Sequence, residues 1–337
     1  MSRTYETNTL QPEKSTDYAF WQTPRQCVWD ALVALPTLDS MVLLGRGIEY
    51  THALQSHVSE TRLLGYEPGV SEVQFLEPYI VGDIRYLSLD PAEVKENTLQ
   101  LSWSSPKVLL NRARVSIDIW CLAGAVERTG LYATRQFYGV WPTGEMPVEA
   151  LTAILNGPVA SAFVFDHSAG IDNYLSLLKQ IPMPNLTQEQ TDLIVSLVNE
   201  YRACREWLRQ EPGRAMALEP RCRDLLLQID AAVLEAYDLT AELEAQLLQV
   251  FEGVERPMLP FALTGYGEDF AKAKQVVAAK RAWNHLITRY HALVDKEFES
   301  GLTPDEEAEQ ERLSNEIDAE EARENERIRA GLSRSLK

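Results

Sequence analysis

Residues 141–190 read WPTGEMPVEALTAILNGPVASAFVFDHSAGIDNYLSLLKQIPMPNLTQEQ and join two kinds of secondary structure. The apolar spacing predicts a helix that begins at Pro147 and ends at the Asn-Gly-Pro run of residues 156–158. Proline suits a first helical position, whereas asparagine and glycine accept the left-handed conformation that closes a helix. A second helix is expected directly after this break, with Val159 and Val164 on its apolar face.

The chain then passes from a broken helix to a long one. The Pro-Met-Pro run of residues 182–184 favours an extended backbone, because the residue before a proline avoids the helical conformation. Thr187 followed by Gln190 forms the pattern of a capping box, which predicts the start of a helix. Residues 141–190 therefore predict a hinge between a sheet-containing front part and a helical back part.

Five segments of the chain follow one another in the order of a known protein module. They are SMVLLGRGI (40–48), SPKVLLNRAR (105–114), AILNGPVASAF (153–163), LLKQIPMPNLTQEQTDLIVSLVNEY (177–201) and VLEAYDLTAELEAQLLQVF (233–251). In order and spacing they resemble the target recognition domain of bacterial restriction-modification proteins. The resemblance is to the C-terminal specificity region of adenine-specific DNA methylases and to type I specificity subunits, and it spans about residues 38–251.

The resemblance implies a module that reads double-stranded DNA. Adenine methylases also carry an Asn/Asp-Pro-Pro-Tyr/Phe motif and a glycine-rich cofactor motif, and neither occurs in this sequence. We therefore expect no catalytic residue and no cofactor in this chain, and a methylase or another defence subunit as its partner. In type I specificity subunits comparable helices dock the modification subunits, which implies that the helical regions bind that partner; covering the sheet is an equally good reason for these helices.

The sequence predicts an α+β fold, in which a mixed or antiparallel β-rich domain precedes helices and a C-terminal antiparallel helical hairpin. Seam residues at spacings of three and four in residues 283–294 give this hairpin a coiled-coil-like character. Candidate strands are residues 41–44, 73–75, 84–87, 107–110, 116–121 and 136–140, with long loops at 50–68 and 90–105. The expected units are a tail and lead-in (1–37), the recognition-like domain (38–186), helices (187–256), a linker (257–269) and an acidic arm (270–337).

Composition restricts the class of protein. The 337 residues are 45% hydrophobic and 24% charged, which is typical of globular domains. No apolar run of membrane-spanning length occurs, and the polar first residues do not form a signal peptide. The four cysteines are far apart, so we expect neither a zinc site nor a disulfide framework. These features favour a cytoplasmic protein with no membrane partner.

The net charge of −18 argues against a nucleic-acid partner, because binding to phosphate depends on lysine and arginine. The charge is unevenly distributed, however. Residues 295–326 hold 14 acidic and 3 basic side chains, whereas residues 103–140 hold 5 basic and 2 acidic ones. A local cationic strip can bind DNA while the remaining surface repels it.

Eight residues are the candidate DNA contacts. Arginine can pair with guanine and with phosphate, and glutamine and asparagine can pair with adenine or phosphate. The candidates are Arg46, Lys107, Arg112, Arg114, Arg135, Gln136, Asn173 and Lys179. The alternative for Lys107, Arg112 and Arg114 is a set of ordinary surface charges beside an edge strand, and for Arg46 and Asn173 it is a turn.

Two other functions remain open at this stage. Asp83 with Glu93 and Lys95 provides the residue types of a Mg²⁺-dependent nuclease, although residues 90–93 also resemble a helix start with acids in its first turn. A scaffold protein whose acidic arm binds other proteins is the second alternative. Such a charge run is most often only a solvated face.

Overall fold

The computed structural model describes residues 25–335 except 96–97, 169, 212 and 214, so the predicted N-terminal tail lies outside the described residues. Within them the fold is α+β: antiparallel and mixed sheets come first and helices follow, which confirms the predicted class. The strands are β1 (Val42–Arg46), β2 (Val58–Ser59), β3 (Tyr66–Val70), β4 (Leu76–Glu77), β5 (Ile80–Val81), β6 (Arg85–Ser88), β7 (Lys107–Asn111), β8 (Gly124–Glu127), β9 (Tyr132–Ala133) and β10 (Phe137–Pro142).

The helices follow the last strand, apart from one short helix at the start. They are α1 (Gln26–Leu32), α2 (Val148–Asn156), α3 (Pro158–His167), α4 (Leu175–Leu178), α5 (Gln188–Gln210), α6 (Ala215–Glu235), α7 (Ala241–Leu248), α8 (Glu268–Ser300) and α9 (Pro304–Ser335).

The main sheet has the strand order β1-β10-β7-β8, and all its neighbours are antiparallel. Successive side chains of β10 point to opposite faces, as strand geometry requires. Tyr138 and Val140 pack into the core shared with the helices, whereas Phe137 and Trp141 pack into a second core. The second core lies against the smaller sheet β2-β6-β3-β9, in which β3 and β9 are parallel. The main sheet is therefore covered on both faces.

The junction forms largely as its residues predict. α2 ends at Asn156 and α3 begins at Pro158, so the break lies where the Asn-Gly-Pro run predicts, although Gly157 is extended (φ −74°) and not left-handed. The Thr187 hydroxyl accepts from the backbone N–H of Gln190 (3.2 Å), and the Gln190 side chain accepts from the N–H of Thr187 (2.9 Å). The expected strand at residues 182–184 is reduced to a single antiparallel bridge between Pro182 and Thr37.

Two predicted strands are wrong. Residues 73–75 form a 3-10 turn, because the chain there reverses into the β4–β5 hairpin and the Phe75 carbonyl accepts from Gly82 N–H (2.7 Å). Residues 116–121 form an irregular loop. The Ser116 hydroxyl accepts from the backbone N–H of Asp118 (3.0 Å), a local bond that competes with pairing to another strand.

The last two helices form the predicted antiparallel hairpin. Gly301, with φ of 78°, ends α8, and Thr303 starts α9 by a capping box with Glu306. The Arg289 side chain donates to Glu309, and the Lys296 side chain donates to Glu306. The later residue of α8 thus pairs with the earlier residue of α9, as in an antiparallel pair. The first residues of the predicted acidic arm, among them Phe270, Ala273 and Val277, belong to the core. From here on, the arm denotes residues 282–335.

Within the described residues, no single helix is long and apolar enough to cross a membrane. Taken together, α2 and α3 are long and apolar enough to cross a membrane, although they are bent by 51° relative to each other. Both helices contribute to the buried core that joins the main sheet to the later helices.

Lys107 is the first candidate DNA contact that the structure corrects. All five residues of β7 are buried, and the Lys107 side chain is 0% exposed. Its ammonium donates to the carboxylate of Glu127, the residue opposite it on β8, and to the carbonyl of Trp103 (2.5 Å). Burial raises the pKa of Glu127, but the hydrogen bonds from Lys107 and Thr129 together with the charge of Lys107 outweigh it, so the pKa is lowered overall. Lys107 is thus an internal ion-pair partner and not an accessible phosphate ligand.

Replacing Lys107 by methionine should lower the free energy of unfolding by about 3–5 kcal/mol, because Glu127 is left buried without its cation. With Lys107 present, the lowered pKa of Glu127 gives stability that exists above about pH 4.3 and is lost as the pH falls further. Without Lys107 the pKa of Glu127 rises. At low pH the Glu127 carboxyl is then protonated and neutral, which restores part of the variant's free energy of unfolding. Urea unfolding should therefore show a larger deficit at pH 7.5 than at pH 5.

The double variant Lys107→Met/Glu127→Gln is the control for that measurement. Its neutral amide needs no cation, and its oxygen can still accept from Thr129, as Glu127 does (2.5 and 2.7 Å). We expect it to recover a large part of the lost stability. Unchanged unfolding of Lys107→Met at both pH values would contradict the buried ion pair.

Candidate nucleic-acid interface

Several candidate residues lie together along one side of the main sheet, at the ends of its neighbouring strands. The antiparallel order places the end of β1, the start of β10 and the end of β7 side by side. Arg46, the last residue of β1, lies opposite Tyr138 of β10. Just beyond β7, the backbone N–H of Arg112 donates to the carbonyl of Gln136 (2.8 Å). Arg46, Gln136 and Arg112 therefore occupy neighbouring positions across three strands.

A second segment continues this edge beyond β7. Ala113 forms an antiparallel bridge with Asp172, and the Arg114 N–H donates to the Ile171 carbonyl (3.0 Å). The Arg112 guanidinium also donates to the Asp172 carboxylate (2.8 Å). Residues 171–173 thus lie beside Arg112 as an additional short strand-like segment.

On the other side of Arg46, three cations surround one carboxylate. Glu49 lies 2.7 Å from the Lys95 ammonium, 3.5 Å from the Arg46 guanidinium and 3.6 Å from the Arg135 guanidinium. The hydrogen bond from Lys95 lowers the pKa of Glu49, and the charges of Arg46 and Arg135 lower it further. A carboxylate with three cationic neighbours neutralises only one of them, so a surplus of positive charge remains.

Tyr138 connects this cluster to Arg112. Burial raises the pKa of its hydroxyl, while the nearby charges of Arg112 and Arg46 act in the opposite direction. Both guanidiniums therefore lie near one phenol. We call the surface formed by Arg46, Glu49, Lys95, Arg112, Arg135, Gln136 and Tyr138 the cationic edge.

The cations of this surface are accessible. The exposed fractions of the side chains are 40% for Arg46, 55% for Lys95, 30% for Arg112 and 59% for Arg135. Four cations face two carboxylates, Glu49 and Asp172. Guanidinium groups present planar pairs of donors that match phosphate oxygens and base edges, so this surface has the chemistry to bind a polyanion.

Four of the eight candidates lie elsewhere or are used internally. Lys107 is buried at the opposite end of β7. Asn173 is also wrong as an accessible contact: it is 0% exposed, and its amide donates to the carbonyls of Cys121 (3.1 Å) and Asn111 (3.4 Å). The Arg114 guanidinium donates to two carbonyls at the end of α3, and Lys179 pairs with Asp39 before the start of β1 (2.8 Å).

Lys95, Glu49 and Tyr138 were not among the candidate DNA contacts, although Lys95 belonged to the nuclease alternative. Lys95 lies in the long loop predicted at residues 90–105, and its backbone N–H donates to the Glu49 carbonyl (3.0 Å). Tyr138 reads as an ordinary strand residue. Tyr138 reaches Arg46 only through pairing between β1 and a strand about 90 residues later in the chain. Glu49 follows Arg46 by three residues, and Lys95 is placed by its contacts with Glu49.

The residues of the nuclease alternative serve other contacts. The Glu93 carboxylate is 2.9 Å from the ring of His57 and accepts from the Ser88 hydroxyl (3.2 Å). Asp83 is exposed between β5 and β6. Among the residues that the structure describes, no group of three or more His, Cys, Asp or Glu side chains could hold a metal ion.

No protein-family model and no curated protein matches the chain. Among solved structures, the chain is similar to the Type IIL restriction-modification enzyme MmeI in complex with DNA, with 11% identity and a TM-score of 0.44 over 71% of this chain and 36% of that one. It is also similar to the HsdS subunit from Thermoanaerobacter tengcongensis, with 13% identity and a TM-score of 0.31 over 64% and 50% of the two chains. The matched region therefore spans about a third of the first protein and half of the second.

Proposed function

We propose that this chain is a DNA sequence-recognition module of a restriction-modification or phage-defence system, and that another chain supplies the adenine methylase. The observation that carries the proposal is the cationic edge. It gathers four accessible cations on neighbouring strand ends of a protein whose net charge is −18. The resemblance of residues 38–251 to target recognition domains supports the same function.

A local cationic surface can bind DNA on an acidic protein because charges act over short distances in salt. At physiological ionic strength the Debye length is about 8 Å, so distant exposed acids are largely screened from a bound phosphate. The two carboxylates that contact the edge cations are Glu49 and Asp172. The edge keeps more cations than these acids neutralise, and each cation that meets a phosphate releases condensed counterions.

The same surface contains groups that can distinguish bases. An arginine fork fits the two acceptors of guanine in the major groove, and a glutamine amide fits adenine. Arg46 and Arg112 sit at or next to strand ends, where backbone pairing fixes their positions. We therefore assign phosphate contacts chiefly to Arg135 and Lys95, the more exposed pair, and base contacts to Arg46, Arg112 and Gln136.

The arm is the proposed site for the partner chain. Its seam residues Trp283, Leu286, Ile287 and Tyr290 are only partly buried, whereas Leu293 is buried. Phe298, close to the end of α8, is 85% exposed. Such a hairpin can bury further apolar surface by packing against helices of a second protein.

Arg46→Ala, Arg112→Ala and Arg135→Ala should each weaken binding of the full chain to duplex DNA, by about 10-fold for a contact of about 1–3 kcal/mol. A residue that contacts phosphate should also reduce the slope of log K against log salt concentration by about 1. Binding is measured first with a randomised duplex pool and then with the enriched duplex, between 50 and 200 mM salt.

Lys272→Ala is the matched control for this measurement. Lys272 is an exposed cation of α8 that pairs with Asp269 (2.9 Å), so its removal changes the net charge equally. We expect its affinity and salt slope to equal those of the unaltered chain. If no duplex is enriched, or if Lys272→Ala weakens binding as much as the edge variants do, the cationic edge is not the DNA site.

A chain that ends at residue 281 tests the arm. It keeps Phe270, Ala273 and Val277, which belong to the core, and loses the rest of the hairpin. We expect this chain to bind duplex DNA like the full chain and to lose co-purification with the methylase chain. Retained co-purification would place the partner's contact elsewhere.

A further inference from the structure

Two large apolar side chains, Ile171 and Tyr174, lie exposed beside Arg112, and a third, Phe165, lies near Arg114. Ile171 is 79% exposed, Tyr174 is 54% exposed and Phe165 is 36% exposed. Burying an apolar side chain typically contributes about 1.5–3 kcal/mol, so a protein gains little by leaving three of them in water in one short segment. We call Ile171 and Tyr174 the apolar tip.

The tip is held in place by backbone bonds on both sides. The Ile171 carbonyl accepts from the Arg114 N–H (3.0 Å), and the Asn173 N–H donates to the Arg112 carbonyl (2.7 Å). The buried amide of Asn173 fixes the same segment to Cys121 and Asn111. The exposed side chains are therefore presented by an anchored segment.

Arg114 and Gly170 complete the support. The Arg114 guanidinium donates to the Ser168 carbonyl (2.9 Å) and the Val164 carbonyl (3.3 Å), which fixes the entrance of the loop. The Tyr174 ring lies so close to Gly170 that a side-chain carbon there would be 2.9 Å from the ring. Arg114 is thus a positioning residue for the tip.

The tip adjoins the donors that the proposed function assigns to DNA. Asp172 lies between Ile171 and Asn173 and accepts from the Arg112 guanidinium (2.8 Å). A duplex bound at the cationic edge would pass next to Ile171 and Tyr174. Apolar side chains beside such donors can contact a thymine methyl group or enter a base step, and aromatic rings can stack on bases.

We propose that Ile171 and Tyr174 contact the bases of the bound duplex, next to the phosphate or base held by Arg112. The inference rests on the proposed function and adds an apolar element to its specificity. Duplex DNA is the occupant because the surface that borders the tip is cationic and its donors are accessible. A protein partner, in contrast, gains from apolar surface without needing this excess of positive charge.

The test uses the full chain and the duplex that it enriches from a randomised pool. Ile171→Ala and Tyr174→Ala should each bind that duplex about 10-fold more weakly, because one base contact is lost. Their salt slopes should equal that of the unaltered chain, since neither side chain displaces counterions. Ile171→Leu and Tyr174→Phe keep the apolar contact and should bind within about 3-fold of the unaltered chain.

Met216→Ala is the matched control, because Met216 is 92% exposed on α6 and far along the chain from the tip. Thermal unfolding of each variant should be unchanged, since the altered side chains are exposed. If the edge variants weaken binding while Ile171→Ala and Tyr174→Ala bind like the unaltered chain, the tip proposal alone is overturned. If the unaltered chain binds no duplex, both proposals are overturned.

Discussion

Asn156 is the residue on which the arrangement of sheet and helices depends. Its side-chain oxygen accepts from the Gly124 N–H (2.6 Å), and its amide donates to the Gly124 carbonyl (2.8 Å). The last residue of α2 therefore pairs with the first residue of β8 as a neighbouring strand would. Its own carbonyl accepts from Arg256 (2.6 Å). Because these groups are buried, loss of the asparagine side chain would leave the Gly124 N–H unpaired, at a cost of about 1–3 kcal/mol. The Gly124 carbonyl would keep its bond from the Tyr79 N–H (2.7 Å).

Arg256 extends this connection to the helical part of the protein. Its guanidinium pairs with Asp230 of α6 (2.7 Å) and lies 4.3 Å from the centre of the Trp120 ring. Burial raises the pKa of Asp230, and the charge of Arg256 opposes that rise. A buried ion pair contributes little net stability, but separating its two charges costs several kcal/mol of folding free energy, about 3–5 kcal/mol. The Arg256–Asp230 pair therefore favours the one arrangement in which α6 and the end of α2 are both in reach of Arg256. The hinge thus fixes where the strand ends of the main sheet, and hence the cationic edge, lie relative to α6.

Local sequence signals predicted the local structure well. The capping box at Thr187 and the Asn-Gly-Pro break each act within a few residues, so their chemistry is readable without the fold. Lys107 shows why the candidate site was harder to predict. Its charge suggested exposure, yet its partner Glu127 lies on another strand, and nothing near Lys107 in the sequence reveals that pairing. In the same way, the chemistry of Arg46 and Arg112 was readable, whereas their common position near Tyr138 depends on strand order.

The distribution of charge has a consequence for how a polyanion would meet this protein. Residues 295–326 hold 14 acidic and 3 basic side chains, so acids stay in excess in the arm although Arg289 pairs with Glu309 and Lys296 with Glu306. The edge cations pair with Glu49 and Asp172. A protein of net charge −18 repels a polyanion such as DNA at long range. Encounter with a duplex would therefore be slow unless the cationic edge faces it. Repulsion by the acidic surfaces therefore selects the orientation of approach. Short-range contacts at the edge must then supply the affinity, which makes binding depend on the fit of a few fixed side chains to the sequence that they meet.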